Sequence, residues 1–432
     1  MTTDALPRRG PLAALRGLLD RPLASYYLLL SSSGLLLVIG LVMVFSATSV
    51  QSYAASGNAF FSVSRQAVFA LLGLVAFWAF QRLPARTYRA LGTPLLVVAI
   101  VLLVTLDLLG VVPGARLGPV HGDTTNNLWL YLGPIELQPS ELAKLALALW
   151  GAGVLAAKGP AIGWWKELAR PLFPVAALVF LLVGYNDFGT MVCLVSLFAG
   201  LLWAAGVRLR VFAGLGAVAL AAFALLITLP GFKYRVDRLT SFADAKHCDP
   251  QQACYQSLHG LYAIADGGWF GVGLGESRLK WGWLPNGHND FIFAVIAEEL
   301  GVVGCFVVLA LLAVLAYTGL RIARRVDDPF RRLVAAAITI WLIGQATINI
   351  GGVVGLLPIT GLPLPFISDG GSALVVTLAA VGLLASFARA EPDASRALHG
   401  RPPDRWVRLL WAPLPPLPRT RRKAERTTEG RR

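Results

Sequence analysis

The chain has 432 residues, of which 56% are hydrophobic and 14% are charged. A soluble domain carries about 25% charged residues, so this composition excludes an ordinary soluble protein. The formal charge is +14. Much of it lies at the ends, in Arg8, Arg9, Arg16 and Arg21 before the first apolar run and in Arg419, Arg421, Arg422, Lys423, Arg426, Arg431 and Arg432 near the last residue. Basic ends that flank apolar runs fit anionic lipid headgroups more simply than nucleic acid.

A membrane-spanning helix needs about 20 apolar residues. Residues 1–25 form a basic leading segment, and the apolar run from Tyr26 to Thr48 is long enough to span rather than serve as a cleavable signal core. Further runs start near Phe61, Leu91, Leu137, Pro171, Thr190, Val211, Phe291, Leu333 and Gly371. The expected fold class is an all-α integral membrane bundle over residues 26–388, with about ten transmembrane helices. A large extracytoplasmic loop, about 231–290, separates the seventh helix from the eighth. The tail 389–432, rich in Pro and Arg, is expected to be disordered.

Lys and Arg in short loops set orientation. Arg82, Arg86 and Arg89 follow the second run, Lys158, Lys166 and Arg170 the fourth, Arg208 and Arg210 the sixth, and Arg321, Arg324, Arg325, Arg331 and Arg332 the eighth. The alternate short loops hold almost none, Arg116 being the main exception. Both termini are therefore expected in the cytoplasm, and the long loop outside.

Ionisable groups in or beside spans are functional candidates by default. In "QPSELAKLALALW", Pro139 suits a first helical turn, Glu141 is favoured there by the helix dipole, and Lys144 shares its face. A functional pair and a structural ion pair both fit. Asp187 in "YNDFGT" reads as a polar turn between two runs or as a functional group. Asp290 in "LPNGHNDFIFAVIAEELG" stands where a polar loop becomes an apolar helix. It is either a helix N-cap or an exposed general base. Glu298 and Glu299, deeper in that helix, need partners. Arg235, Arg238, Arg278 and Lys280 could clamp a pyrophosphate or form a solvated loop face.

Cys193 and Cys305 lie in apolar runs as packing residues. Cys248 and Cys254 share the long loop, where a disulfide and free thiols both fit. The glycines of "GVGLGES" lack the strand that a dinucleotide site requires. The histidines show no metal-ligand spacing, and there is no nucleophile elbow.

The run "YQSLHGLYAIADGGWFGVGLGESRLKWGWLPNGHNDFIFAVIAEELG" resembles the large outer loop and following helix of the SEDS (shape, elongation, division, sporulation) family. "QPSELAK" and "NIGGVVGLLPITGLPLPFISDGGS" resemble two further signatures, and the likeness runs from the first apolar run to the last. The basic leading segment and the His-Asn-Asp form of the loop motif resemble the actinobacterial division members more than the elongation ones. The resemblance implies a ten-helix bundle that polymerises lipid II into glycan strands beside a crosslinking class B penicillin-binding protein, at the division septum. It implies that Asp290 is the essential aspartate, that Glu141 and Lys144 belong to a central cavity, and that Gln256, Lys280 and His288 are loop-motif positions. Asn349, Pro358, Ser368 and Gly371 match the last signature.

The chain departs from the family pattern at Asn286, where Glu is usual, and at Asn186, where Pro is common. It departs again at Leu128, where Arg is common, and at Asp369, where Tyr is common. A single displacement is expected, with Asp290 activating a sugar hydroxyl and cationic side chains, Mg2+ or Mn2+ stabilising the leaving pyrophosphate. No organic cofactor is expected. The competing readings are a lipid II transporter, with Glu141, Lys144 and Asp187 on its path, and a division scaffold without chemistry.

Overall fold

The computed structural model describes residues 17, 19–111, 116–117, 120–122, 128–132, 135–159, 168, 170–227, 254–281 and 283–418. Helices α1 (Ala24–Ser56), α2 (Phe61–Arg82), α3 (Ala85–Val111) and α4 (Pro139–Lys158) are followed by α5 (Leu172–Asn186), α6 (Phe188–Ala204) and α7 (Leu209–Ile227). The loop helix α8 (Tyr255–Gly267) leads to α9 (Ile292–Arg325), α10 (Pro329–Val353) and α11 (Ser372–Arg389). Two short helices close the described chain, α12 (Pro392–Gly400) and α13 (Arg405–Leu410). Among these, α1, α2, α3, α4, α9, α10 and α11 are long and apolar enough to cross a membrane, and α5, α6 and α7 are shorter apolar helices. The chain is a multi-pass membrane protein.

The apolar residues do not segregate to one face. On α2, Val68, Leu71, Leu72, Leu74, Val75 and Trp78 are exposed, as expected of a helix that is hydrophobic all round and meets lipid. Helix α11 is the opposite case, buried along most of its length. It crosses α2 closely because Gly382 lies where an added Cβ would come within 2.4 Å of the Phe77 carbonyl oxygen. Small residues permit such approaches between membrane helices, where packing rather than hydrophobic exclusion drives association.

The connections at one end of the bundle are short: 83–84 between α2 and α3, 205–208 between α6 and α7, and 326–328 between α9 and α10. The opposite end carries the elaborate segments, including α8 and the run 354–371. It also holds an antiparallel meander of four strands in the order β1-β2-β3-β4, formed by Arg116–Leu117, Val120–Gly122, Leu130–Leu132 and Ile135–Leu137. Sequence analysis missed these strands, because two or three residues show no alternation to read.

The tail departs from expectation. Through residue 418 it is folded against the bundle: Trp411 Nε1 donates to Tyr26 Oη at 2.6 Å, Trp78 Nε1 donates to the Leu410 carbonyl at 2.5 Å, and Ala412 is buried. Its Trp and Leu residues supply the apolar contacts that Pro and Arg content alone conceals. The basic residues 419–432 lie outside the described residues.

Candidate functional site

Helix α9 starts at Ile292 with Phe291 as its N-cap, and the N-cap side chain makes no capping bond. Asp290 lies one residue earlier, so it is not the N-cap residue. Its backbone is fixed by the last signature. Three successive carbonyls accept bonds from that segment: His288 from the Asp369 N–H at 3.1 Å, Asn289 from Ser368 Oγ at 2.7 Å, and Asp290 from Asn349 Nδ2 at 2.8 Å. Asn349 also donates to the Leu362 carbonyl at 2.7 Å, and Ser368 Oγ accepts from the Leu364 N–H at 2.7 Å. Asn349 and Ser368 are buried. Each therefore acts on the peptide that carries Asp290.

The approach to Asp290 is fixed from the other side as well. Gln256, on α8, donates through Nε2 to the Pro285 carbonyl at 3.0 Å. Asn286 has φ of 53°, and its carbonyl accepts from the Asn289 N–H at 3.0 Å. Asn is among the few side chains that tolerate this left-handed conformation. The departure at Asn286 thus serves a turn. Asp290 itself is half-buried and lines a narrow pocket with Ile348, Asn349, Gly352, Thr360 and Gly361.

Sequence analysis passed over one cation here. Arg65, in the first turns of α2, reaches Glu136 at 3.3 Å and Asp369 at 3.4 Å and stays about half exposed, its side chain 45% accessible. The only sequence signal was a lone arginine near the start of an apolar run. Asp369, another departure from the family pattern, is one of its two partners. Burial pushes the neighbouring His288 imidazole below the ordinary histidine value, with Asp369 opposing the shift and Arg65 reinforcing it.

Glu141 and Lys144 pair at 2.7 Å and are fully buried. The Lys144 ammonium also donates to Gln345 Oε1 at 2.7 Å and lies 5.2 Å from the centre of the Trp341 ring. Gln345 in turn accepts from Trp341 Nε1 at 2.9 Å and donates to the Pro363 carbonyl at 2.8 Å. A buried ion pair needs such additional partners to offset desolvation. Asp187 caps α6, accepting from the Thr190 N–H at 2.8 Å and Thr190 Oγ1 at 2.5 Å. The turn reading describes its local role, and it lies within electrostatic range of the Glu141–Lys144 pair.

Glu298 and Glu299 find their partners in the loop. Glu298 accepts from Ser277 Oγ at 2.5 Å and the Arg278 N–H at 2.8 Å. Glu299 accepts from Ser46 Oγ at 2.6 Å and faces Lys280 at 3.6 Å. Lys280 is buried and also donates to the Gly275 carbonyl at 2.5 Å. An exposed clamp needs a solvent-facing ammonium, and in this geometry Lys280 instead ties the loop to α9. Arg278 is exposed. Arg235, Arg238 and Cys248 lie outside the described residues. Cys254 is disulfide-bonded, and Cys193 and Cys305 are free thiols. Among the described residues no three His, Cys, Asp or Glu side chains converge as metal ligands.

A helical membrane bundle that closes one end with a folded loop, and presents a backbone-clamped aspartate there, defines a polytopic protein with surface chemistry. Residues 27–392 match the model of the FtsW/RodA/SpoVE family of cell cycle proteins, and the chain belongs to that family. It is 42% identical over 400 residues to the probable peptidoglycan glycosyltransferase FtsW of Mycobacterium tuberculosis, covering 92% of this chain and 74% of the relative. It is 37% identical to stage V sporulation protein E of Bacillus subtilis, covering 82% of this chain and 94% of the relative. Among solved structures, one of a peptidoglycan synthase complex that coordinates polymerization and crosslinking matches with a TM-score of 0.65 and 27% identity, over 84% of this chain and 96% of that one. The rod shape determining protein RodA of Thermus thermophilus matches with a TM-score of 0.58 and 27% identity, over the same two shares.

Proposed function

We propose that this chain is a peptidoglycan glycosyltransferase that polymerises lipid II into glycan strands at the outer face of the cytoplasmic membrane. Its membership of the family and its identity to the mycobacterial glycosyltransferase support the activity. The observation that carries the mechanism is the clamped run His288–Asn289–Asp290, whose three carbonyls are all held by donors of the last signature.

Asp290 removes the proton from the acceptor sugar hydroxyl, the GlcNAc 4-hydroxyl of lipid II, as the oxygen attacks the anomeric carbon of the donor. The bond from that carbon to the lipid pyrophosphate breaks, and undecaprenyl pyrophosphate leaves with the electron pair. One displacement inverts the anomeric centre. A positioned base contributes about 10² to 10⁴ in rate. The leaving group needs charge neutralisation more than a proton. Arg65 and Arg278, both accessible to a ligand, suit that role, while Lys280 is engaged with Glu299.

The transporter reading is weaker. Its path charges, Glu141 and Lys144, bind each other, and Lys144 is further engaged by Gln345. We propose further that the chain works at the septum, with both termini cytoplasmic, beside a class B penicillin-binding protein that crosslinks its product. Purified protein with that partner and labelled lipid II tests the activity. Wild type is expected to yield polymer, and Asp290→Asn to yield none while keeping its melting temperature. Equal polymer from Asp290→Asn would remove the base role, and lipid II movement without polymer would favour the transporter.

A further inference from the structure

The end of the bundle opposite Asp290 holds a feature that glycan polymerisation does not use. An open cleft of about 880 Å³ is lined by the α2–α3 connection, the α9–α10 connection and the segment 413–418. Five arginines line it, Arg82, Arg86, Arg89, Arg331 and Arg389, against two carboxylates, Asp327 and Asp328. The lining is therefore net positive by three charges.

The carboxylates are partly committed. Asp328 binds Arg89 at 2.6 Å and faces Arg331 Nε at 3.9 Å. The Arg331 Nε is buried and has no hydrogen-bond partner among the described residues. Arg86 is exposed and has no ion-pair partner among them. A buried guanidinium donor without an acceptor is costly; an anion in the cleft would lower the cost at Arg331 through its charge and pair directly with the exposed Arg86. Guanidinium groups match phosphate oxygens in a bidentate fork.

The rim says which phosphate. Trp406, Leu409 and Leu410 on α13 are largely exposed, and Arg405 and Arg408 share that helix. The helix is fastened beside the cleft, because Arg82 donates to the Leu409 carbonyl and Trp78 to the Leu410 carbonyl. Exposed Trp and Leu alternating with Arg suit the headgroup boundary of a bilayer. A basic pocket bordered by apolar surface fits a ligand that has both a phosphate and acyl chains.

We infer that this cleft binds the headgroup of an anionic phospholipid, with the phosphate on Arg86 and Arg331 and the acyl chains along α13. The site rests on its own residues and does not require the polymerase reading. The test uses full-length protein in neutral detergent, titrated separately with phosphatidylglycerol, phosphatidylcholine and inorganic phosphate, with bound lipid read by native mass spectrometry. Phosphatidylglycerol is expected to bind more tightly than phosphatidylcholine, and each arginine to account for about a five-fold difference. Arg86→Gln should remove one such factor. The double variant Arg86→Gln/Arg331→Gln should fall to the phosphatidylcholine level, and Arg396→Gln, outside the cleft, should match wild type. Arg86 is exposed, so its single variant remains informative if the double variant fails to fold. Equal phosphatidylglycerol binding by wild type and Arg86→Gln overturns the inference. Displacement of the lipid by an equal concentration of inorganic phosphate overturns it too, by making the ligand free phosphate.

Discussion

A carboxylate acts as a base only where its position is fixed before the substrate arrives, and Asp290 is fixed through its peptide. Removing the Asn349 amide leaves the Asp290 and Leu362 carbonyls without that donor. Each orphaned buried group costs about 1–3 kcal/mol. Asn349→Leu is therefore expected to lower both melting temperature and polymer yield, and Asn349→Asp, which keeps shape but loses the donor, to behave similarly. Full polymer yield from Asn349→Leu would mean that the clamp is dispensable. His288 gives a pH signature. Its folded value lies below the ordinary 6.5, so the unfolded chain binds the proton more readily. The stability it contributes is complete above about pH 6.5 and is lost as pH falls through the depressed folded value. Melting temperature should decline on acidification below 6.5, and His288→Gln should flatten that decline; an unchanged slope would rule out His288 as its source. At this scale the position of Asp290 at a loop–helix junction was legible, because a polar run meets an apolar one there. Arg65 and Gln345 were not, because their partners are distant in sequence and only folding joins them.

The element that organises the site is α9, which is bent rather than continuous. Gly301 has φ 66° and ψ −164°, and beyond it the Val302 and Val303 N–H groups bond to the Gly268 and Trp269 carbonyls. The helix thus exchanges a stretch of its own ladder for the loop after α8. An added Cβ at Gly301 would lie 2.4 Å from the Gly271 nitrogen. That conformation costs about 1–3 kcal/mol for any other residue, before the overlap is counted. Gly301→Ala is expected to lower the melting temperature and to reduce polymer yield with it, since Glu298 and Glu299 hold the loop from the turn just before. A melting temperature equal to wild type would show that the bend relaxes freely. The apolar run of α9 was plain from composition, but its bend was not. A single glycine in a long apolar run is common in membrane helices, and only the loop packed against it reveals the function.

At the scale of the molecule, the basic loops and the site loops lie at opposite ends of the bundle. Arg82, Arg86 and Arg89 share one end with Asp327 and Asp328 around the cleft, while Arg65 and Asp290 lie at the other. Composition and apolar runs made the bundle legible, but helix lengths alone do not say which end faces the cytoplasm. The bias of Lys and Arg in short loops argues that the basic end does, because translocating them is costly. Alkaline phosphatase, active only outside the cytoplasm, tests this directly when fused to truncations of the chain. A fusion after Gly57, in the α1–α2 turn, is expected to be active, and one after Arg86 inactive. The reverse pattern would put Asp290 on the cytoplasmic face, where glycan strands cannot reach the wall, and would remove the polymerase mechanism whatever the local geometry of the site. Orientation therefore constrains the chemistry more tightly than any single contact around Asp290.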